Sequence, residues 1–188
     1  MKQSLNKINR IAAANASRAI KKMFGKAVEL KIPLSKVENI RRLKPFLDPE
    51  RMIVGVYLPI GGEVKGAALF VIPRETAFIL SDILLKRRPG FARKLTRLDR
   101  SALKEVGNII CGQYFTVFSN MLGLKIIENI PNLSCSMFGA IMSDIFTRFS
   151  RFGDEALIIE VNMVFKPKVL KAHFLILFEP VKVMSLLK

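Results

Sequence analysis

The sequence predicts an α+β domain in which an antiparallel β-sheet packs with long helices and an internal duplication gives approximate two-fold symmetry. Three observations support this prediction: the chain resembles itself at a fixed spacing, two long helical patterns end at equivalent glycines, and pairs of apolar strands are joined by short turns. We therefore expect the 188 residues to form one domain, with half-repeats at about 1–90 and 91–188.

The two halves align when the sequence is shifted by 98 positions. Each copy has a long helix that ends at a glycine, then a strand, then a shorter helix or loop, then two adjacent strands. The aligned pairs are Leu5 with Leu103, Ile8 with Val106, Ile11 with Ile109, Met23 with Met121, Gly25 with Gly123 and Pro33 with Pro131. Such self-similarity indicates duplication of one structural unit.

In the first half, apolar periodicity predicts a helix at about 4–24, which Gly25 ends because glycine tolerates a left-handed backbone. Gly61-Gly62 predicts the turn of a β-hairpin. The other expected elements are strands at about 27–34, 52–60 and 63–72, a helix at about 74–86 and a loop from Arg87 to Leu95.

In the second half, Lys166-Pro167 predicts the turn between the last two strands. The expected elements are a helix at 99–122, a strand at 124–131, a helix at 137–150, strands at 155–165 and 168–178, and a short helix from Pro180. Hairpins of this kind favour an antiparallel sheet with helices packed on it.

Composition narrows the class of protein. The longest apolar runs fall well short of the roughly 20 residues that span a bilayer, and the amino terminus lacks a signal-peptide pattern, so we expect a cytoplasmic protein without membrane insertion.

Two cysteines, Cys111 and Cys135, are predicted to be small core residues, and with the single His173 they form no metal-binding spacing. The net charge of +16 favours a negatively charged partner, whether an acidic protein, nucleic acid or an anionic membrane surface.

The helix at 99–122 contains the candidate site. Its buried stripe is predicted to be Leu103, Val106, Ile110, Tyr114, Val117 and Met121. Ser101, Glu105, Asn108 and Gly112 lie on the opposite side, where Glu105 and Asn108 are neighbours three residues apart. Gly107-Asn108 is unfavourable in the middle of a helix, which is typical of functional sites. We expect Gly107 to allow a partner's close approach; the alternative is that it relieves crowding inside the fold.

The pattern Ser101-x3-Glu105-x2-Asn108-x22-Pro131 resembles the signature of the CheC/CheX/FliY phosphatases at every position, and the duplication resembles that of CheC. The resemblance implies an enzyme that hydrolyses the aspartyl phosphate of a CheY-type receiver. Asn108 would orient the attacking water, and Glu105 would pair with the receiver's lysine. It implies no cofactor of the chain's own, since Mg²⁺ would be held by the receiver.

Ser101, Gly107 and Gly112 are predicted to contact the partner, although Ser101 has the alternative of a structural role near the helix start. Arg97 and Arg100 belong to a basic stretch that begins at Lys86 and leads into this helix. We expect this stretch to steer an acidic receiver towards the site; the alternative is a solvated loop.

In the first half, Gln3, Lys7 and Arg10 stand where the second half has Ser101, Glu105 and Asn108. We therefore predict a degenerate first site, with Lys7 and Arg10 in place of the acid and the amide.

Two other functions remain open at this point. The resemblance also extends to FliM, a non-catalytic docking protein, and it implies the deamidase CheD as a possible partner. A nucleic-acid-binding protein would explain the charge, but aromatic residues are not interleaved with the basic clusters, so we expect no nucleic acid partner.

Overall fold

The computed structural model describes residues 2–39, 48–149 and 155–178. It contains four helices and seven strands within these ranges, in an order that repeats helix, strand and hairpin. In chain order they are α1 (Lys2–Phe24), β1 (Glu29–Asn39), β2 (Met52–Gly62), β3 (Gly66–Pro73), α2 (Arg74–Leu84), α3 (Arg97–Leu122), β4 (Ile126–Glu128), β5 (Asn132–Met137), α4 (Phe138–Phe149), β6 (Glu155–Phe165) and β7 (Lys168–Phe178).

All seven strands form one antiparallel sheet in the order β1-β6-β7-β3-β2-β4, with β5 also pairing with β2. The order is symmetric about the central β7–β3 pair. Each half contributes one hairpin, β2–β3 or β6–β7, and the outer strands cross over: β1 pairs with the second-half strand β6, while β4 and β5 pair with the first-half strand β2. The predicted α+β architecture with an antiparallel sheet is confirmed.

The helices occupy both faces of the sheet. Apolar side chains of α1, α2 and α3 share one core cluster with the sheet, which includes Phe70 and Phe174. Tyr114 of α3 lies within this cluster, and its hydroxyl donates a hydrogen bond to Asn9 of α1. Helix α4 packs on the opposite face through Phe138, Met142 and Ile145. Because strand side chains alternate between faces, this second cluster uses the other set of positions in the same strands.

Most predicted elements are confirmed, including the strands at 155–165 and 168–178 with their turn at Lys166-Pro167. Gly25 and Gly123 both have left-handed backbones, with φ of 65° and 66°, at the ends of α1 and α3. The first hairpin turn lies slightly later than predicted, since β2 continues through Gly62 and β3 begins at Gly66. The predicted helix from Pro180 lies outside the described residues.

The predicted strand at 124–131 is wrong. β4 covers only Ile126–Glu128, and β5 begins separately at Asn132. Between them, the Asn129 amide donates to the Pro59 carbonyl at 3.0 Å, and Pro131 lies in the break instead of at a strand end. The run of apolar residues concealed this break, because periodicity does not reveal that two short strands pair separately with β2.

A buried ion cluster fixes the loop between α2 and α3. Asp82 and Asp99 are both fully buried. Arg87 forms ion pairs with both, with its Nε 3.2 Å from Oδ1 of Asp82. The second Asp82 oxygen accepts hydrogen bonds from the Gly90 and Ala92 amides at 2.9 and 3.1 Å. Arg87 is therefore a structural residue, and the prediction that it belongs to a solvated or steering run is wrong.

We predict that Arg87→Leu lowers the free energy of unfolding by about 3–5 kcal/mol, because it leaves two buried carboxylates without their cation. Arg88→Leu is the matched control: Arg88 is exposed, and surface substitutions change stability by about 0.5 kcal/mol or less. Urea denaturation of both variants measures the difference. Equal stability of the two variants would show that the cluster contributes nothing.

Candidate active site on helix α3

Helix α3 begins at Arg97 and is capped by Thr96. The Thr96 hydroxyl accepts a hydrogen bond from the Asp99 amide, and the Asp99 carboxylate accepts from the Thr96 amide at 2.8 Å, which together form a capping box. Burial alone would raise the pKa of Asp99, but hydrogen bonds from Thr96 and the Arg87 guanidinium outweigh it and hold that pKa below its usual value. Ser101 lies a full turn beyond this cap, so it does not cap the helix.

The predicted buried stripe of α3 is confirmed. Leu103, Val106, Ile110, Tyr114 and Val117 are buried, and Met121 is partly buried at its end. The buried arc is wider than predicted because α3 packs on α1 as well as on the sheet. The additional buried apolar side chains are Ala102, Cys111, Phe115 and Phe118. Burial, and secondarily the Glu128 carboxylate, raise the pKa of the Cys111 thiol.

Gly107 belongs to this buried arc, so the prediction that it meets a partner is wrong. A methyl group at Gly107 would lie 2.8 Å from Cβ of Val56 and 2.9 Å from each Val56 methyl. Val56 is a fully buried residue of β2. The glycine therefore lets the α3 backbone approach the sheet more closely than any side chain would allow, which is the alternative considered from the sequence.

Ser101, Glu105 and Asn108 are among the polar side chains on the outer face of α3. Ser101 is exposed, and Glu105 and Asn108 are partly exposed. Residues three and four apart lie next to one another on a helix surface, so these side chains form a continuous polar strip about two turns long. The strip is open to a docking molecule at Ser101 and partly sheltered at the carboxylate and the amide.

Glu128 of β4 extends this strip, a position that the periodicity of α3 does not predict. Its Oε2 lies 3.1 Å from the position that a Cβ of Gly112 would occupy, so the carboxylate rests on α3 one turn beyond Asn108. Burial of this carboxylate raises the pKa of Glu128. Gly112 therefore makes room for Glu128 and is half-buried, which leaves less of it open to a partner than predicted. The sequence contains one sign of this role: Glu128 is an acidic residue in an apolar strand, at the position where the first half has Leu30.

Basic side chains surround the amino-terminal end of the strip. Arg97 and Arg100 of α3 are exposed, as are Arg88, Arg93 and Lys94 in the preceding loop. Phe91 of the same loop is 67% exposed, and Leu98 is 63% exposed. The surface beside the polar strip thus combines positive charge with two apolar side chains.

The first-half counterparts lie on α1. Lys7 and Arg10 are both exposed, one turn apart on the outer face of this helix. The Gln3 side chain lies outside the described residues. The structure therefore presents a cationic pair in the place where the second half presents Glu105 and Asn108.

The chemistry available at the α3 strip is that of an amide and two carboxylates. An amide both donates and accepts hydrogen bonds, so it can hold and orient a water molecule. A carboxylate can pair with a cation of a partner. Within the described ranges, no group of three or more His, Cys, Asp or Glu side chains has an arrangement that could hold a metal ion. No helix in these ranges is both long and apolar enough to cross a membrane.

In sequence, the chain resembles CheC-like proteins. Residues 98–131, which contain α3, β4 and Pro131, match the model of the CheC-like family. The CheY-P phosphatase CheC of Bacillus subtilis is 23% identical, in an alignment covering 92% of this chain and 85% of that protein. The resemblance inferred from the Ser101–Pro131 pattern is thereby confirmed.

Solved structures show the same fold. FliY of Thermotoga maritima superposes with a TM-score of 0.75 at 19% identity, covering 96% of this chain and 90% of that one. FliM in the FliG–FliM complex of H. pylori superposes with a TM-score of 0.70 at 13% identity, covering 98% of this chain and 96% of that one. The fold is thus similar to those of FliY and FliM.

We predict that Gly107→Ala lowers the free energy of unfolding by about 1–3 kcal/mol, since the stiff Val56 side chain must move to admit the methyl group. Gly112→Ala is the control. This variant should gain up to about 1 kcal/mol of stability, because alanine has a higher helix propensity than glycine. The added methyl group meets only the flexible end of the Glu128 side chain, which can move aside. Urea denaturation compares the two, and a Gly107→Ala variant as stable as the parent would contradict the close packing.

Proposed function

We propose that the chain is a phosphatase that hydrolyses the aspartyl phosphate of a CheY-type receiver. The observation that carries this proposal is the outward position of Glu105 and Asn108 on one face of α3, within the segment that matches the CheC-like family. The name of the B. subtilis relative, a CheY-P phosphatase, supports the same substrate class.

The reaction adds water to phosphorus and breaks the bond between phosphorus and the aspartyl oxygen, which releases inorganic phosphate and a free carboxylate. It requires a positioned water and stabilisation of negative charge, with no covalent intermediate on the phosphatase. In this proposal the Asn108 amide enters the receiver's phosphorylation pocket and orients the attacking water by hydrogen bonds. Mg²⁺ is held by the receiver's carboxylates.

Glu105 fixes the docking of the receiver in this proposal. Its carboxylate pairs with the lysine beside the receiver's phosphoryl group, and because Asn108 is three residues away, that contact aligns the amide with the phosphorus atom. Ser101 lies one turn before Glu105 and contacts the receiver at the edge of the interface. Arg97 and Arg100 attract the acidic receiver and raise its rate of association.

A non-catalytic docking function is the second candidate. The fold is also that of FliM, in the complex whose name records binding to FliG. In this alternative the α3 strip binds a receiver, or the deamidase CheD, without hydrolysis. The intact Glu105–Asn108 pair favours the enzyme, since docking alone has no need of a water-orienting amide.

We predict that Asn108→Ala slows phosphate release from a phosphorylated CheY-type receiver by about 100-fold, the cost of losing precise positioning of the reacting groups. Asn120→Ala is the matched control, because Asn120 is an exposed asparagine near the end of the same helix. Release of inorganic phosphate under single-turnover conditions gives the rates. If the parent chain itself releases no phosphate yet binds the receiver, the docking alternative holds.

We predict that Glu105→Lys weakens binding of the receiver by about tenfold or more, since a charge reversal turns a pairing contact into a repulsion worth several kcal/mol. Glu155→Lys changes the net charge equally at an exposed position of β6 and serves as the control. Calorimetry with a receiver carrying a beryllofluoride phosphoryl mimic measures affinity. Equal affinities of the two variants would remove Glu105 from the docking interface.

A further inference from the structure

The first half retains an open cleft at the place that corresponds to the α3 site. It lies between α1 and β1 and has a volume of about 590 Å³. Its lining includes Asn6, Arg10, Ala14, Ser17 and Lys31.

The correspondence follows from the repeat. Gly25 and Gly123, which end α1 and α3 with nearly the same φ, are 98 positions apart. The same spacing places Arg10 on Asn108 and Ala14 on Gly112, and it places β1 on the segment that forms β4 and β5. The cleft therefore lies at the position that corresponds to the α3 site, with Arg10 where α3 has Asn108.

The charge of the cleft comes chiefly from α1. Of the six basic residues of this helix, which has no acidic one, Arg10 lines the cleft and Lys7 lies one turn away from it. On the opposite wall, Glu29 and Lys31 lie 3.5 Å apart in an exposed ion pair, so their charges offset each other. Arg10 has no ion pair with any residue in the described ranges. The cleft consequently presents an excess of positive charge.

The shape of the cleft fits an extended chain. β1 is an edge strand within the described sheet, pairing with β6 alone, and strand edges beside grooves are a common place for peptides to bind. A flat bilayer fits the concave surface poorly, and Met23, at the far end of α1, is the one large apolar side chain that this helix exposes among its described residues.

We infer that the first-half cleft is a binding site for an acidic, extended segment of a partner protein, whose carboxylates contact Arg10 in the cleft and Lys7 beside it on the surface of α1. This site is separate from hydrolysis at α3, and it gives the degenerate half a function of its own. Binding of an acidic segment at this site also accounts for part of the chain's net charge of +16.

The test uses the full chain and an eight-residue peptide of alternating Glu and Ala, with a Gln-Ala peptide as the uncharged probe. Titration followed by ¹H–¹⁵N correlation spectra at low salt should shift amide signals of α1 and β1, and the Gln-Ala peptide should shift none. Shifts scattered over all basic surfaces would overturn the inference, because they indicate diffuse attraction by net charge.

A pair of double variants makes the test quantitative. Lys7→Gln with Arg10→Gln should weaken Glu-Ala binding at least about tenfold, as expected for two charge-assisted contacts. Lys65→Gln with Lys168→Gln removes the same charge at exposed positions outside the cleft and should weaken binding by about twofold at most. Equal losses in the two double variants would overturn the site.

Two competing ligands complete the design. Vesicles of phosphatidylcholine with 30% phosphatidylserine, and a 20-base DNA oligonucleotide, are compared with the peptide at equal concentration of negative charge. Tighter binding of either one, lost in the Lys7/Arg10 double variant, would contradict a protein partner. Because these measurements need neither a receiver nor phosphate release, their result does not depend on whether the chain is a phosphatase.

Discussion

The contact between Gly107 and Val56 sets the orientation of helix α3, and the candidate site depends on that orientation. With no side chain at 107, the helix backbone lies directly on β2, and the apolar arc on either side of the glycine faces α1 and the core. A helix held so closely has one rotational position, because a turn about its axis would drive Leu103 or Phe115 out of the core. The strip of Ser101, Glu105 and Asn108 is exposed as a result of packing on the opposite side.

The amino-terminal end of α3 is held by a different device. Asp99 caps the helix and also pairs with Arg87, which in turn pairs with Asp82 at the end of α2. This cluster fixes the loop that carries the exposed basic residues, so their position relative to the strip is determined by buried charges. The Asp99 carboxylate thus takes part both in the helix cap and in the ion pair with Arg87.

Periodicity and turn residues in the sequence were sufficient to predict the helices, the second hairpin and the outer position of Glu105 and Asn108. Their patterns are local: apolar residues repeat at helical spacing, and glycine or proline marks the ends. The break between β4 and β5 could not be predicted, because it is set by pairing with β2 some 70 residues earlier. Gly107 was misinterpreted for a similar reason, because its inward position is recognised only from its close approach to Val56 on a distant strand. Glu128 was overlooked because its contact with Gly112 is tertiary.

The two halves differ in the sign of the charge they present at equivalent places. The second half has carboxylates at Glu105 and Glu128, and the first half has Lys7 and Leu30 there. Opposite charges on a shared backbone select different partners, because a group that pairs with one surface is repelled by the other. Divergence after duplication has thus changed side chains while the fold stayed the same.

The crossing of the outer strands means that neither half can be discarded. Each half places its outer strands against the hairpin of the other, so excision of residues 1–90 would take β1 from β6, β3 from β7, and β2 from β4 and β5. A chain that lost catalysis in one copy would still need that copy to complete the sheet. An isolated half could recover the missing pairings only by reciprocal exchange of strands with a second molecule, as a symmetric dimer.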